Sequence, residues 1–159
     1  MIKLIRSDDR LIHGQCVTQV IPLYQIKNII VVDDATASNS FLASITKMAA
    51  PKGVSVSIVS VQDSIDLINR SAVDDSSTLL LLKYPETLNS IIEHVDCLPK
   101  DMNIAHATAT ETNRKVTTFA YLSDEQIEKL NQLDEKGFHL WFQLIPNTAL
   151  SEWKDLKNI

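Results

Sequence analysis

Glycine is scarce in this chain, which has three, Gly14, Gly53 and Gly137, against an average usage of roughly 7%. No segment can supply a G-x-G-x-x-G turn or a G-x-x-x-x-G-K-[ST] loop, so both glycine-rich nucleotide cradles are excluded. Cysteine is scarcer, and Cys16 and Cys97 stand far apart, so neither a C-x-x-C redox pair nor a zinc-ligand set can be drawn. Two reduced thiols in a cytoplasmic protein is the plain reading. Basic residues are outnumbered, 15 Lys and Arg against 20 Asp and Glu for a net charge of −5; such a surface repels a polyphosphate backbone and excludes nucleic acid as a partner. Long apolar runs are missing as well. Ile29 to Val32 and Leu79 to Leu82 are the longest aliphatic stretches, far below the roughly 20 residues that span a bilayer, and MIKLIRSDDR meets charge before a signal-peptide core forms.

What is present is 45% hydrophobic residues in 159, enough for one domain over 1–159 with a real core. Short β-branched or aliphatic runs (Ile2 to Arg6, Asn28 to Val32, Val54 to Val59, Thr78 to Lys83, Met102 to Ala105) alternate with segments of helical spacing. That rhythm predicts an α/β three-layer sandwich with a central, mostly parallel sheet, the later strands adding antiparallel pairing. The near-continuous apolarity of Ile29 to Val32 and Leu79 to Leu82 places those strands in the middle of the sheet. Helical spacing predicts that Ile45, Met48 and Ala49 face the sheet from a helix over Ser40 to Ala50, and Ile65, Leu67 and Ile68 from the next one. Ser123 and Gln126 form a capping box at a helix start, Gly137 suits the C′ position at its end, and Phe138 to Ile145 reads as a strand.

Arg6-Ser7-Asp8-Asp9-Arg10-Leu11-Ile12-His13-Gly14-Gln15 follows the first predicted strand and precedes the first helix, at the carboxyl edge of the sheet where open α/β proteins place ligands. It brings together one imidazole, two guanidinium groups, two carboxylates and a glycine, the parts of a phosphohistidine site. Neutral imidazole is a nucleophile near pH 7. A transferring phosphoryl group spreads charge over three oxygens that need fixed donors. Arg10 and Arg6 are forked donors, backbone N–H groups after Gly14 offer an anion cradle, and Asp8 or Asp9 can hold one ring nitrogen and so choose which one attacks. The same residues are equally compatible with a solvated loop histidine beside a surface salt-bridge cluster.

Asp8-Asp9-Arg10-Leu11-Ile12-His13-Gly14-Gln15 resembles the active-site motif of the IIB component of mannose/sorbose-family sugar phosphotransferase systems. The likeness continues through Ile29 to Asp34, Lys47 to Val54, Lys83-Tyr84-Pro85-Glu86, Gly137 and Gln143 to Pro146. The resemblance implies a domain that accepts a phosphoryl group on His13 from the phosphohistidine of a IIA protein and passes it to a sugar during transport by membrane IIC and IID proteins. It implies phosphate binding by Arg10, Gly14, Gln15 and Arg6, support from Asp8 and Asp9, no cofactor or metal, and a cytoplasmic protein peripherally associated with its permease. A homo-oligomer is compatible with it. The sugar stays open among mannose, sorbose, fructose and amino sugars such as N-acetylgalactosamine.

Where the family shows Asn-Val-Gly-Gly, this chain has Asn103-Ile104-Ala105-His106, which removes backbone freedom near the loop and makes His106 either a solvated residue or a second polar contact. Asp33, Asp34 and Lys83 fall at strand ends on the same edge, Asp34 and Thr36 also suiting a helix start; Asp33 and Lys83 join the candidate set. Cys16 reads as a small buried hydrophobe; His94 and His139 read as structural. Two other functions compete with the relay. One is a regulatory or anion-sensing domain of the same fold, which Ala105-His106 would support; the other is a thiol enzyme using Cys16, whose thiol a helix N-terminus could activate.

Overall fold

The computed structural model describes residues 1–158, so the last residue of the expected 1–159 domain lies outside it. Strands β1 (Ile2–Asp8), β2 (Asn28–Val32), β3 (Ser55–Val59), β4 (Thr78–Leu82), β5 (Asp101–His106), β8 (His139–Phe142) and β9 (Ser151–Glu152) form one sheet in the order β3-β2-β4-β1-β5-β8-β9. Every pairing in it is parallel except β8 with β9. Strands β6 (Arg114–Lys115) and β7 (Tyr121–Leu122) make a separate antiparallel pair. The α/β class with a mostly parallel sheet is as the sequence predicts, but the last long strand joins β5 in parallel and stops at Phe142, well short of Ile145.

One apolar layer packs Ile5, Ile30, Leu80, Leu82, Ile104 and Phe142 against helices α4 (Val61–Val73), α5 (Thr87–Ile91) and α6 (Asp124–Glu135). The opposite face packs Leu4, Ile29, Val31, Leu79 and Leu81 under Leu11, Ile12, Cys16, Val20 and Ile21. β4 is buried along its whole length, as a Leu-rich strand covered on both faces must be. β2 stands one place in from the edge, and β1 holds the centre. The first helical segment winds with π spacing over Cys16–Val20 into α1 (Ile21–Leu23). Pro22 has no N–H to give the Thr18 carbonyl, so the regular ladder has a gap there.

The start of α6 is capped as expected: Ser123 accepts from the Gln126 N–H and Gln126 accepts from the Ser123 N–H. Gly137 takes φ +85° after it, a conformation that suits glycine. Helix α2 (Asp34–Ala37) starts one residue earlier than Asp34 suggests, with Asp33 as N-cap accepting from Thr36. The expectation for α3 (Ser40–Met48) is overturned. Ile45, Met48 and Ala49 face outward, and Ala43, Thr46 and Ala50 turn toward the body. The helix crosses beside the edge strand β3, where little sheet lies beneath it, and small residues let its backbone come close.

His139 ties three strands together at the amino edge, with Nδ1 2.6 Å from Asp101 Oδ2 and Nε2 2.7 Å from Glu152 Oε2. The hydrogen bond to Asp101 raises its pKa, burial opposes it, and the hydrogen bond to Glu152 adds to the rise. A folded pKa above the unfolded value gives stability that is present below about pH 6.5 and is lost as pH rises through the folded value. Thermal melts of wild type and His139→Gln between about pH 6 and 8.5 are expected to converge as pH rises, by the small amount typical of half-exposed pairs.

Candidate functional site

Beyond β1 the chain turns sharply, the Leu11 N–H reaching the Asp8 carbonyl at 2.9 Å. Leu11 sits at φ +57°, a left-handed conformation that costs roughly 1–2 kcal/mol without glycine. Its side chain and that of Ile12 are buried in the apolar face below, which holds the turn and leaves Arg10 and His13 facing outward. The Val17 N–H closes on the His13 carbonyl at 2.9 Å, so the N–H groups of Gly14, Gln15 and Cys16 precede the first turn's closure. A Cβ at Gly14 would meet nothing within 4 Å; neither space nor backbone of this chain demands glycine there.

Asp8 is the hub. Its carboxylate is 0% exposed. Oδ1 accepts from the Arg10 backbone N–H at 3.1 Å and from Arg10 Nε at 2.9 Å. Oδ2 takes Arg10 Nη2 at 2.9 Å, Arg6 Nη2 at 3.2 Å and His13 Nε2 at 3.0 Å. Burial pushes this carboxyl up, but hydrogen bonds from His13 and Arg10 and the charges of Arg6 and Arg10 outweigh it and hold it well below the usual carboxylate range. An ionised carboxylate only accepts, so His13 Nε2 must carry the proton and Nδ1 the lone pair. His13 is 19% exposed.

Arg6, grouped by the sequence with the phosphate-facing cations, lies beneath the loop at 2% exposure. It donates to Asn103 Oδ1 at 2.6 Å and to the Leu144 carbonyl at 2.9 Å, and burial lowers its pKa against the raising effect of Asp8. One of its donors, Nη2, also reaches Asp8, so it braces that carboxylate from beneath the loop. Gln15 Oε1 lies 3.4 Å from Arg10 Nη1, a loose contact that leaves that side of the guanidinium open.

Asp9 points elsewhere. Its oxygens take His106 Nδ1 at 2.5 Å and the Thr108 N–H at 2.7 Å. Burial raises the carboxyl, and Thr108 and His106 outweigh it to leave the pKa lowered. His106 is therefore a polar partner of the loop, pinning it to the end of β5. Asp33 caps α2 and stands 3.7 Å from Lys83 Nζ. Lys83 shares a cavity of about 390 Å³ with Asp9, Arg10, Tyr84, Thr108 and Asn113. All the candidates thus lie on one sheet edge, where His13, Arg10, Arg6 and Gln15 gather around Asp8, while Asp9 pairs with His106 and Asp33 with Lys83. Among the described residues, Asp8, Asp9 and His106 have metal-ligand spacing. Both Asp8 oxygens, however, already accept from the guanidinium of Arg10, whose charge would repel a cation.

Sequence reasoning missed Asn103, the buried amide that grips Arg6 and donates to the Gln143 carbonyl at 3.2 Å; a polar residue inside an apolar strand was its one signal. Cys16 is fully buried, and burial pushes its thiol up to about 11, the reverse of an activated nucleophile. Iodoacetamide is expected to modify the exposed Cys97 in the native protein and Cys16 only after unfolding, with phosphoryl acceptance intact, read by peptide mapping.

A family model described as the PTS system sorbose subfamily IIB component matches residues 2–159. The chain belongs to this family. The fructose-specific EIIB component of Bacillus subtilis strain 168 is 28% identical over 159 residues, covering 99% of this chain and 97% of that protein. The mannose-specific EIIAB component of Escherichia coli K12 is 26% identical over 156 residues, which are 98% of this chain and 48% of the relative. The solved IIBSor domain of the sorbose permease from Klebsiella pneumoniae superposes with a TM-score of 0.92 at 23% identity, covering 99% and 96% of the two chains, and shows the same fold. The chain is a IIB component of sorbose/mannose type in a sugar phosphotransferase system, and such components are parts of a phosphotransferase. Among the described residues of this IIB chain, no helix is long and apolar enough to cross a membrane.

Proposed function

We propose that His13 is the covalent phosphoryl carrier of this IIB component, taking phosphate from a phosphohistidine of an A-type partner and giving it to a sugar during uptake by membrane C and D partners. The observation that carries the reading is the contact of His13 Nε2 with Asp8 Oδ2 at 3.0 Å, with Arg10 on the same carboxylate. Nδ1 attacks the incoming phosphorus, the donor's P–N bond breaks, and its electron pair returns to the donor imidazole. The Nε2 proton stays in place, and Asp8 stabilises the positive ring that forms. Arg10 Nη1 and the N–H groups at the helix start face the developing charge. Arg6 positions Asp8 from below, and Asp9 with His106 positions the loop. In the second step a sugar hydroxyl oxygen bonds to phosphorus, Nδ1 leaves with the electron pair, and the hydroxyl proton passes to a base outside this chain.

The Escherichia coli relative named EIIAB is about twice the length of this chain, which supports an A partner working beside the B domain. The protein then acts in the cytoplasm at the face of its permease. The test is a chain of purified general phosphotransferase enzymes, a mannose-family A protein and this protein, with labelled phosphoenolpyruvate. Acid-labile, base-stable label on the wild type, lost to sugar when membranes carrying the C and D proteins are added, is the expected result. Absence of label with two A proteins that phosphorylate their own B partners would overturn the proposal and favour a sensing domain.

A further inference from the structure

Helix α3 is amphipathic, yet none of its residues is buried. Phe41 is 71% exposed, Leu42 42%, Ile45 50% and Met48 83%. At 100° per residue these four fall on one face, opposite Ala43, Thr46 and Ala50, which turn toward β3. They expose an apolar area on the order of 400 Å², comparable with the largest patch of a typical monomer and far more apolar than a solvated helix face needs. The only formal charge on the helix is Lys47, which at 100° per residue lies off the stripe, nearer Ala43.

We infer that this face pairs with the same face of a second copy, α3 against α3 in antiparallel orientation about a two-fold axis. The stripe is close to self-complementary under that operation. An antiparallel pair centred between positions 44 and 45 sets Phe41 against Met48 of the other copy at both ends, an aromatic–sulfur contact, and brings the two Ile45 side chains together at the dyad. Lys47 projects away from the stripe on both helices, so no charge enters the contact.

The area agrees with this occupant. A standard interface buries about 800 Å² per partner, of which roughly 56–65% is apolar, and the exposed stripe supplies nearly that share. Exposed Ser44 and Lys52 are available for the rim. The pairing involves none of the His13 loop residues.

Sedimentation equilibrium on the full chain is the test, over roughly 1–200 µM. The wild type is expected to dimerise with a dissociation constant in the range of about 1–50 µM. Met48→Glu and Phe41→Glu place a charge on side chains that touch little of their own chain. Each is expected to weaken the dimer at least about 30-fold while circular dichroism and melting temperature stay as in the wild type. In a Cys97→Ser background, Ile45→Cys is expected to form an intermolecular disulfide under mild oxidation. A wild type that stays monomeric throughout, or a dimer that both glutamate variants leave intact, overturns the inference. A monomer whose binding to an A protein or to lipid vesicles depends on Met48 overturns it too, and gives the face to that partner.

Discussion

Replacing Asp8 with asparagine is expected to lower stability by about 3–5 kcal/mol, a fall in melting temperature of roughly 10 °C for a chain of this size. The size of the effect comes from Arg6. Its guanidinium is buried under the loop, with Nε lacking a hydrogen-bond partner among the described residues and Asp8 as the carboxylate in contact with it. Removing that charge leaves a cation in a low-dielectric site with the Asn103 amide and the Leu144 carbonyl as its remaining acceptors. The substitution also turns one acceptor oxygen into an N–H₂ that would point at guanidinium or imidazole donors. Arg6→Met in the Asp8→Asn background is expected to recover part of the loss, because it removes the stranded charge. Denaturant melts of the four proteins of this cycle measure the coupling. A cost for Asp8→Asn under 1 kcal/mol would mean that the hub does not hold the loop. The pH dependence has a definite sign. The folded carboxyl lies below its unfolded value of about 3.9, so its contribution is complete above about pH 4 and is lost as pH falls toward the folded value. Wild type is therefore expected to lose more stability than Asp8→Asn on acidification from about pH 5.

His13→Ala is expected to show the opposite profile, with phosphoryl acceptance reduced on the order of 10⁴-fold or more and a stability change of about 1 kcal/mol. His13 donates one of the five hydrogen bonds that Asp8 accepts, and the other four, all from Arg6 and Arg10, remain. The ring is partly exposed and packs into neither apolar layer. Rapid-quench labelling by a phosphorylated A protein, set beside a denaturant melt, separates the two effects. Equal loss of both would make His13 a structural residue. Retention of labelling would move the phosphoryl group to another nucleophile, for which His106 is the first place to look.

Much of this arrangement was legible in the sequence because local rules and tertiary structure agree there. The β-branched and leucine runs became β2 and β4, Ser123 and Gln126 formed their capping box, and the polar loop between first strand and first helix landed on the carboxyl edge. What could not be read depended on residues distant in sequence. Arg6 looked like a surface donor because nothing local shows that Asn103 and Leu144 close over it. The Asp9–His106 contact spans 97 positions, and only the parallel register of β1 with β5 brings those residues together. Leu11 carries no sign of its left-handed backbone, since the conformation is imposed by burying its side chain. Helix α3 misled the reading for a related reason. Its periodicity correctly marked one apolar face, but periodicity does not say whether the sheet or another molecule covers it.

The central claim is a chemical one about a single atom, and nuclear magnetic resonance reads it directly. His13 labelled with ¹⁵N in the phosphorylated protein is expected to show phosphorus coupled to Nδ1, with Nε2 still protonated and its resonance shifted by the Asp8 hydrogen bond. Coupling to Nε2 would contradict the assignment of the lone pair, since that nitrogen could react only if the ring had abandoned Asp8.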